Sequence, residues 1–141
     1  MIILDTNMLS DCLRSAPDAR VMAWIAAQPS GSLSTTTVVE AEILYGIRLF
    51  ADGARKAALG SAVRAIFAVD LAGRVIPFDR DCAEAFAEIA ESPKISGQPI
   101  SQFDAMIAAA TRSRGAALAT HTHCDFAYCG IDFVDPWVHD K

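Results

Sequence analysis

Short apolar runs alternate with longer helical patterns along the 141 residues of this chain, and that alternation restricts the fold more than any other feature. "MIILD" at the start is an apolar run centred on Ile and reads as a buried strand. "MLSDCLR" and "DARVMAWIAAQ" read as helices, the second entered through Pro17-Asp18 as a start signal. "GSLSTTT", Thr- and Ser-rich after a Gly, suits a second strand. The helix that follows, "TVVEAEILYGIRLF", places Val38, Ile43, Tyr45 or Ile47, and Phe50 at mixed helical spacing. Its first turn carries Glu40 and Glu42, at the end where the helix dipole favours acids. "ARKAALGSAVRAIFAVDLA" reads as one further helix forming a hairpin with its neighbour, and "GRVIPF" as a short strand. "DRDCAEAFAEIAESPK" is a helix with an Asp start and a Pro near its end, "ISGQPIS" a loop, and "SQFDAMIAAATRSRG" a helix closed by Gly115. A small-residue strand "AALAT", a loop "HTHCDFAYCG" and a final extended segment "IDFVDPW" complete the chain.

Strands separated by helices specify an α/β domain with a mostly parallel central sheet flanked by helices. No internal repeat, low-complexity tract or interior linker divides residues 1–141, so one domain is expected.

In such a sheet the strand ends and the helix starts that follow them gather along one edge, where ligands bind. Asp5 ends the first strand, Glu42 opens the helix after the second, Asp104 lies in the first turn of the helix after "ISGQPIS", and Asp125 follows the fourth strand. Each has an ordinary use by itself. Asp5-Thr6-Asn7 can cap the next helix. Glu42 and Asp104 can pair with helix dipoles, and a loop acid such as Asp125 is usually solvated. Together they would converge on one crevice, and carboxylates that close repel unless a cation lies between them. The oxygen-only set suits a hard divalent ion, Mg²⁺ or Mn²⁺, which takes a few carboxylates, keeps several waters and completes its shell with phosphate oxygens.

Composition narrows the choice of partner. A net charge of −5 argues against a broad basic face that coats nucleic acid, although it allows a local site acting on it. Hydrophobic residues make up 52% of the chain, in keeping with a packed core, and no apolar run reaches the roughly 18 residues of a membrane span. With Met1 inside the first strand and no leader pattern, a cytoplasmic protein is expected. The four cysteines form no CxxC pair, and Cys12 and Cys82 read as small buried hydrophobes. His121, His123, Cys124 and Cys129 are all possible zinc ligands, but four so close in sequence would struggle to surround one tetrahedral ion. Arg48, Arg55, Lys56, Arg112 and Arg114 are candidate contacts for RNA or a partner, a solvated helix face being the commoner use of such residues. No GxxxxGK[ST], GxGxxG or GxSxG occurs. A haloacid-dehalogenase-like phosphatase would need a second Asp where Asn7 stands.

"MIILDTN", "TVVEAEILYGI", "GQPISQFDAMIAAATRSRG" and "LATHTHCDFAYCGIDFVDPW", in this order along the whole chain, resemble a PIN-domain protein of the VapC type of toxin–antitoxin systems, including its FitB-like members. The resemblance implies a PIN-like fold and a metal-dependent endoribonuclease toxin blocked by a cognate antitoxin. It implies that Asp5, Glu42 and Asp104 bind the metal and that Asp125, matching the Asp of the family's "xDF" segment, supports them. It also implies a homodimer that meets operator DNA through the antitoxin complex. Thr6 and Asn7 match the family's polar pair and would orient Asp5 or a metal-bound water. Thr120-His121-Thr122 stands where the family has "TRN" or "TxD": Thr122 replaces the acid or amide, and His121 takes the place of Arg, near the mouth of the site, where it would meet phosphate. A domain with weak activity, acting mainly as the antitoxin-binding half of a repressor complex, is the alternative that this departure keeps open.

Overall fold

In the computed structural model, which describes residues 1–92, 97 and 100–138, the apolar runs form a five-stranded sheet. The strands are β1 (Ile2–Leu4), β2 (Leu33–Thr36), β3 (Val75–Ile76), β4 (Ala117–Ala119) and β5 (Asp132–Val134). The helices are α1 (Thr6–Cys12), α2 (Ala19–Ala27), α3 (Thr37–Arg48), α4 (Ala54–Ala65), α5 (Arg80–Glu91) and α6 (Gln102–Ser113). The strand order is β3-β2-β1-β4-β5 and every pairing is parallel. The chain therefore builds outward from β1 through β2 to β3, then returns to place β4 on the other side of β1. That reversal puts the carboxyl ends of β1 and β4 side by side, the position at which open α/β sheets hold ligands.

The centre of the sheet is apolar on both faces, as helices on both sides require. Ile3 and Leu118, in register across β1 and β4, are fully buried, as are Met8, Val39, Ile89 and Ile107 from the helices. β2 instead buries Ser34, Thr35 and Thr36. Thr35 donates its hydroxyl to the Leu4 carbonyl at 2.9 Å, and the Thr36 hydroxyl accepts from the Val39 amide, capping α3. Of these six helices only α4 lacks a side-chain bond at its start: Asp5 caps α1, Asp18 α2, Asp79 α5 and Ser101 α6. α6 buries a run of alanines with Ile107 and packs closely along α5, which small side chains permit. At the edge, β5 exposes Asp132 and Phe133, and the charge discourages further strand pairing.

Several local expectations change. α1 starts two residues before "MLSDCLR", because Asp5 supplies the cap directly at the strand end. On α3 the core takes Ile43 and part of Ile47, leaving Tyr45 61% exposed and Phe50 40% exposed. The long Ala-rich helix gives way after Ala65 to a π-helical turn, Ile66–Asp70, and Arg74 then holds the Asp70 and Leu33 carbonyls. Gly115 follows the end of α6 with φ 61°, the left-handed conformation that favours glycine. The loop "HTHCDFAYCG" contains a 3₁₀ turn, His123–Phe126, and a second such turn, Pro136–Val138, follows β5. Most of "ISGQPIS" and the Pro near the end of α5, Pro93, lie outside the described residues; Gly97 within that expected loop is helical. Among the described residues no helix is long and apolar enough to cross a membrane.

Candidate active site

The acids meet at the predicted edge. Asp5, Glu42, Asp104 and Asp125 line one crevice of about 180 Å³, with Thr6, Asn7, Ser101 and Thr122 between them and no basic side chain among the described residues of its walls. Four segments far apart in sequence contribute: Asp5 from the end of β1, Glu42 from the second turn of α3 rather than the expected first, Asp104 from the first turn of α6 and Asp125 from the 3₁₀ turn after β4.

Asp5 serves two purposes. One carboxylate oxygen accepts the Met8 amide at 2.9 Å and so starts α1, while the same residue forms part of the crevice wall. It is 4% exposed. Burial pushes its pKa up to about 6; hydrogen bonds from the Thr120 side chain and from the Met8 amide pull the other way, and the Asp104 charge pushes it up further. Asp104 is half-buried and also raised, first by burial and then by the Glu42 and Asp125 charges, against a lowering contribution from Ser101. Asp5 thus feels the Asp104 charge, and Asp104 feels Glu42 and Asp125.

Neighbouring hydroxyls fix these carboxylates. Thr6 donates to Glu42 Oε1 at 2.5 Å, linking the start of α1 to the second turn of α3. Thr120 is fully buried; its Oγ1 accepts the Thr122 amide at 3.1 Å and lies 3.3 Å from the Thr122 hydroxyl, which places the turn after β4 against Asp5. Ser101 was not among the residues singled out from sequence. It caps α6 by accepting the Asp104 amide at 3.0 Å, and the signal was present as the spacing Ser-x-x-Asp before an apolar run. Asp125 is exposed, its backbone amide donating to the Thr122 carbonyl at 2.9 Å.

His121 is not brought to the crevice mouth. Its Nδ1 lies 3.2 Å from both Asp135 oxygens and its ring stacks on Trp137 with centroids 4.8 Å apart. The segment after β5 draws the imidazole toward itself. The zinc alternative finds no support in the described side chains: Cys129 is fully buried, Cys124 is exposed and His121 is engaged with Asp135, while the side chain of His123 lies outside the described residues. Arg112 pairs with Glu88 at 3.6 Å, Arg114 with Asp79 at 2.8 Å, and Lys56 with Asp52 and the Arg48 carbonyl.

Among the described residues, no three His, Cys, Asp or Glu side chains stand close enough together to form a ready-made metal cage. The donors that line the crevice are nevertheless all oxygen, and their mutual repulsion would be relieved by a cation. That combination fits a hydrated hard ion held by one or two carboxylates at a time, with waters filling the remaining positions.

An open parallel sheet with an acid-lined crevice at its reversal point is thus the class to which fold and site belong. The model of the PIN domain matches residues 2–127. VapC ribonuclease Y4jK of Sinorhizobium fredii is 34% identical over 97% of this chain and 98% of its own length. Toxin FitB of Neisseria gonorrhoeae is 31% identical over 99% of this chain and all of its own. A structure of FitAB bound to an IR36 DNA fragment superposes with a TM-score of 0.90 at 30% identity, covering all of this chain and 99% of that one. The chain belongs to the PIN-domain family.

Proposed function

We propose that the protein is the toxin of a type II toxin–antitoxin pair and a divalent-metal-dependent endoribonuclease, built as one domain over residues 1–141 and working in the cytoplasm. The observation that carries this reading is the crevice itself: four carboxylates without a cationic side chain among the described residues of its walls, with Asp5 raised to about 6 and Asp104 raised as well. Such a site is satisfied by a bound cation and by a substrate that brings phosphate oxygens to it. Asp5, Glu42 and Asp104 would hold Mg²⁺ or Mn²⁺. The ion supplies Lewis-acid polarisation of a phosphoryl oxygen and a more acidic water. Thr6 holds the Glu42 carboxylate in one orientation, and Thr120 does the same for Asp5. Asn7 and Thr122 present polar groups to the bound phosphodiester, while Asp125 at the exposed side accepts hydrogen bonds from ordered water.

Support for the biological setting comes from the relatives, one named a VapC ribonuclease and another a FitB toxin, and from the FitAB structure with its DNA fragment. A cognate antitoxin would inhibit the toxin, and a toxin homodimer would reach operator DNA only through the antitoxin complex. The test is cleavage of a mixed transfer and ribosomal RNA pool by antitoxin-free protein with Mg²⁺, Mn²⁺ or EDTA, beside Asp5→Asn and Asp104→Asn. Metal-dependent cuts lost in both variants are expected. Cuts that persist in EDTA or in both variants would overturn the reading.

A further inference from the structure

The acidic crevice continues into a second groove of about 300 Å³, with which it shares Thr6 and Glu42. This groove lies between α1, α3 and α4: Ile43 and Ile47 line its base, and Arg14, Phe50 and Arg55 stand at its exposed side. We infer that it is the subsite for the nucleotide adjoining the phosphodiester held at the acids, with RNA phosphate on Arg14 and Arg55 and a base against Phe50. The inference rests on the ribonuclease reading above and adds the path by which a single strand leaves the site.

Charge is the first argument. The chain carries −5 overall and the crevice walls are acidic, so a polyanion needs cations next to the site to be held there. Five other cations among the described residues serve the fold or neighbouring acids: Arg20 pairs with Asp18, Lys56 with Asp52, Arg112 with Glu88 and Arg114 with Asp79, and Arg74 binds backbone carbonyls. Arg14 gives one nitrogen to the buried Asp11, yet its side chain is 62% exposed, so the rest of its donor fork faces solvent. Arg55 lies over an aromatic face, its guanidinium 5.6 Å from the Phe50 ring centroid. That contact leaves its N–H donors available to phosphate oxygens.

Shape and continuity supply the second argument. The groove is of a size for one nucleotide rather than a folded duplex, near the lower end of the ~300–1,000 Å³ of ligand pockets. Thr6 and Glu42 line both groove and crevice, so a chain whose phosphate sits at the acids has its next nucleotide beside the groove. Phe50 is 40% exposed and offers the flat apolar surface on which single-stranded bases stack irrespective of sequence. A protein segment could use the same apolar base; the paired arginines beside an acid-lined site favour RNA.

The test is fluorescence anisotropy with a fluorescein-labelled, random-sequence RNA octanucleotide on Asp104→Asn protein, which would bind without cutting, across a range of KCl concentrations. Arg55→Ala is expected to lower affinity and to flatten the slope of log K against log salt by about 0.7, the value for one single-strand phosphate contact. Arg55→Lys should restore that slope. Phe50→Ala should weaken binding about 5- to 100-fold with the slope unchanged, and Arg20→Ala should alter neither. Arg14 stays in place because it neutralises Asp11, so the test does not depend on a variant prone to unfold. Unchanged affinity and slope in both Arg55→Ala and Phe50→Ala, with metal-dependent cleavage intact in the parent protein, would overturn the subsite and leave the ribonuclease reading standing. Absence of RNA binding together with absence of cleavage would remove the reading beneath it. Unchanged RNA affinity with loss of antitoxin retention in the same variants would assign the groove to a protein partner and overturn the inference.

Discussion

Replacing Asp5 by Asn is predicted to make the metal-free protein more stable while destroying its proposed function. Burial and the Asp104 charge raise the Asp5 pKa from 3.8 to about 6. At about 1.4 kcal/mol per pH unit, ionising this group costs about 3 kcal/mol more in the folded chain than in the unfolded one. The sign follows from proton binding. The folded state holds the Asp5 proton more tightly, so the contribution of Asp5 to wild-type stability is most favourable below pH 3.8, falls as pH rises towards about 6, and is level above that. Asn does not titrate, and it caps a helix about as well as Asp, so the bond to the Met8 amide has a replacement. Asp104 titrates in both proteins and largely cancels. Urea unfolding in EDTA should therefore place Asp5→Asn above wild type by up to about 3 kcal/mol at pH 8, with the two converging to within about 1 kcal/mol near pH 4. Mg²⁺ at about 1,000 times its Kd should reverse the order, since ligand at that excess stabilises by about 4.1 kcal/mol and only wild type would bind it well. A variant less stable than wild type at pH 8 in EDTA, or a difference that does not change with pH, would refute the reasoning.

Other predictions address the supports of the site and the core. Thr6→Val removes the hydroxyl that holds Glu42 and should lower metal affinity or cleavage rate about 10- to 100-fold, measured by Mn²⁺ titration and initial rates. His121→Ala should leave cleavage rates within about threefold, because the ring faces Asp135 and Trp137, and should cost about 1 kcal/mol in thermal unfolding. Leu118→Ala, at a fully buried position beside β1, should cost about 2–5 kcal/mol in urea unfolding.

Which parts of this account were legible in the sequence follows from the range of the interactions involved. The strand and helix order could be read because periodicity and caps are local: Asp18, Asp79 and the apolar runs each announce themselves within a few residues. The convergence of Asp5, Glu42, Asp104 and Asp125 could be read because parallel topology carries strand ends to one edge. His121 could not be placed, since its orientation depends on Asp135 and Trp137, residues that meet it only after β5 has joined the sheet. Tyr45 and Ile47 were equally good core candidates by spacing, and the packing of α3 against its neighbours decided for Ile47. The π-helical turn after Ala65 had no local marker, because Ala-rich sequence favours a continuing α-helix just as well.

The most direct test of the central claim, that the crevice acids hold a divalent ion, is the anomalous difference map of a crystal grown or soaked with Mn²⁺. The account predicts an ion in the crevice, contacting oxygens of Asp5 and Asp104 and completing its shell with water, and its loss in Asp104→Asn crystals treated alike. A crevice that stays without an ion at millimolar Mn²⁺, or an ion bound elsewhere on the protein while RNA is still cut, would contradict it.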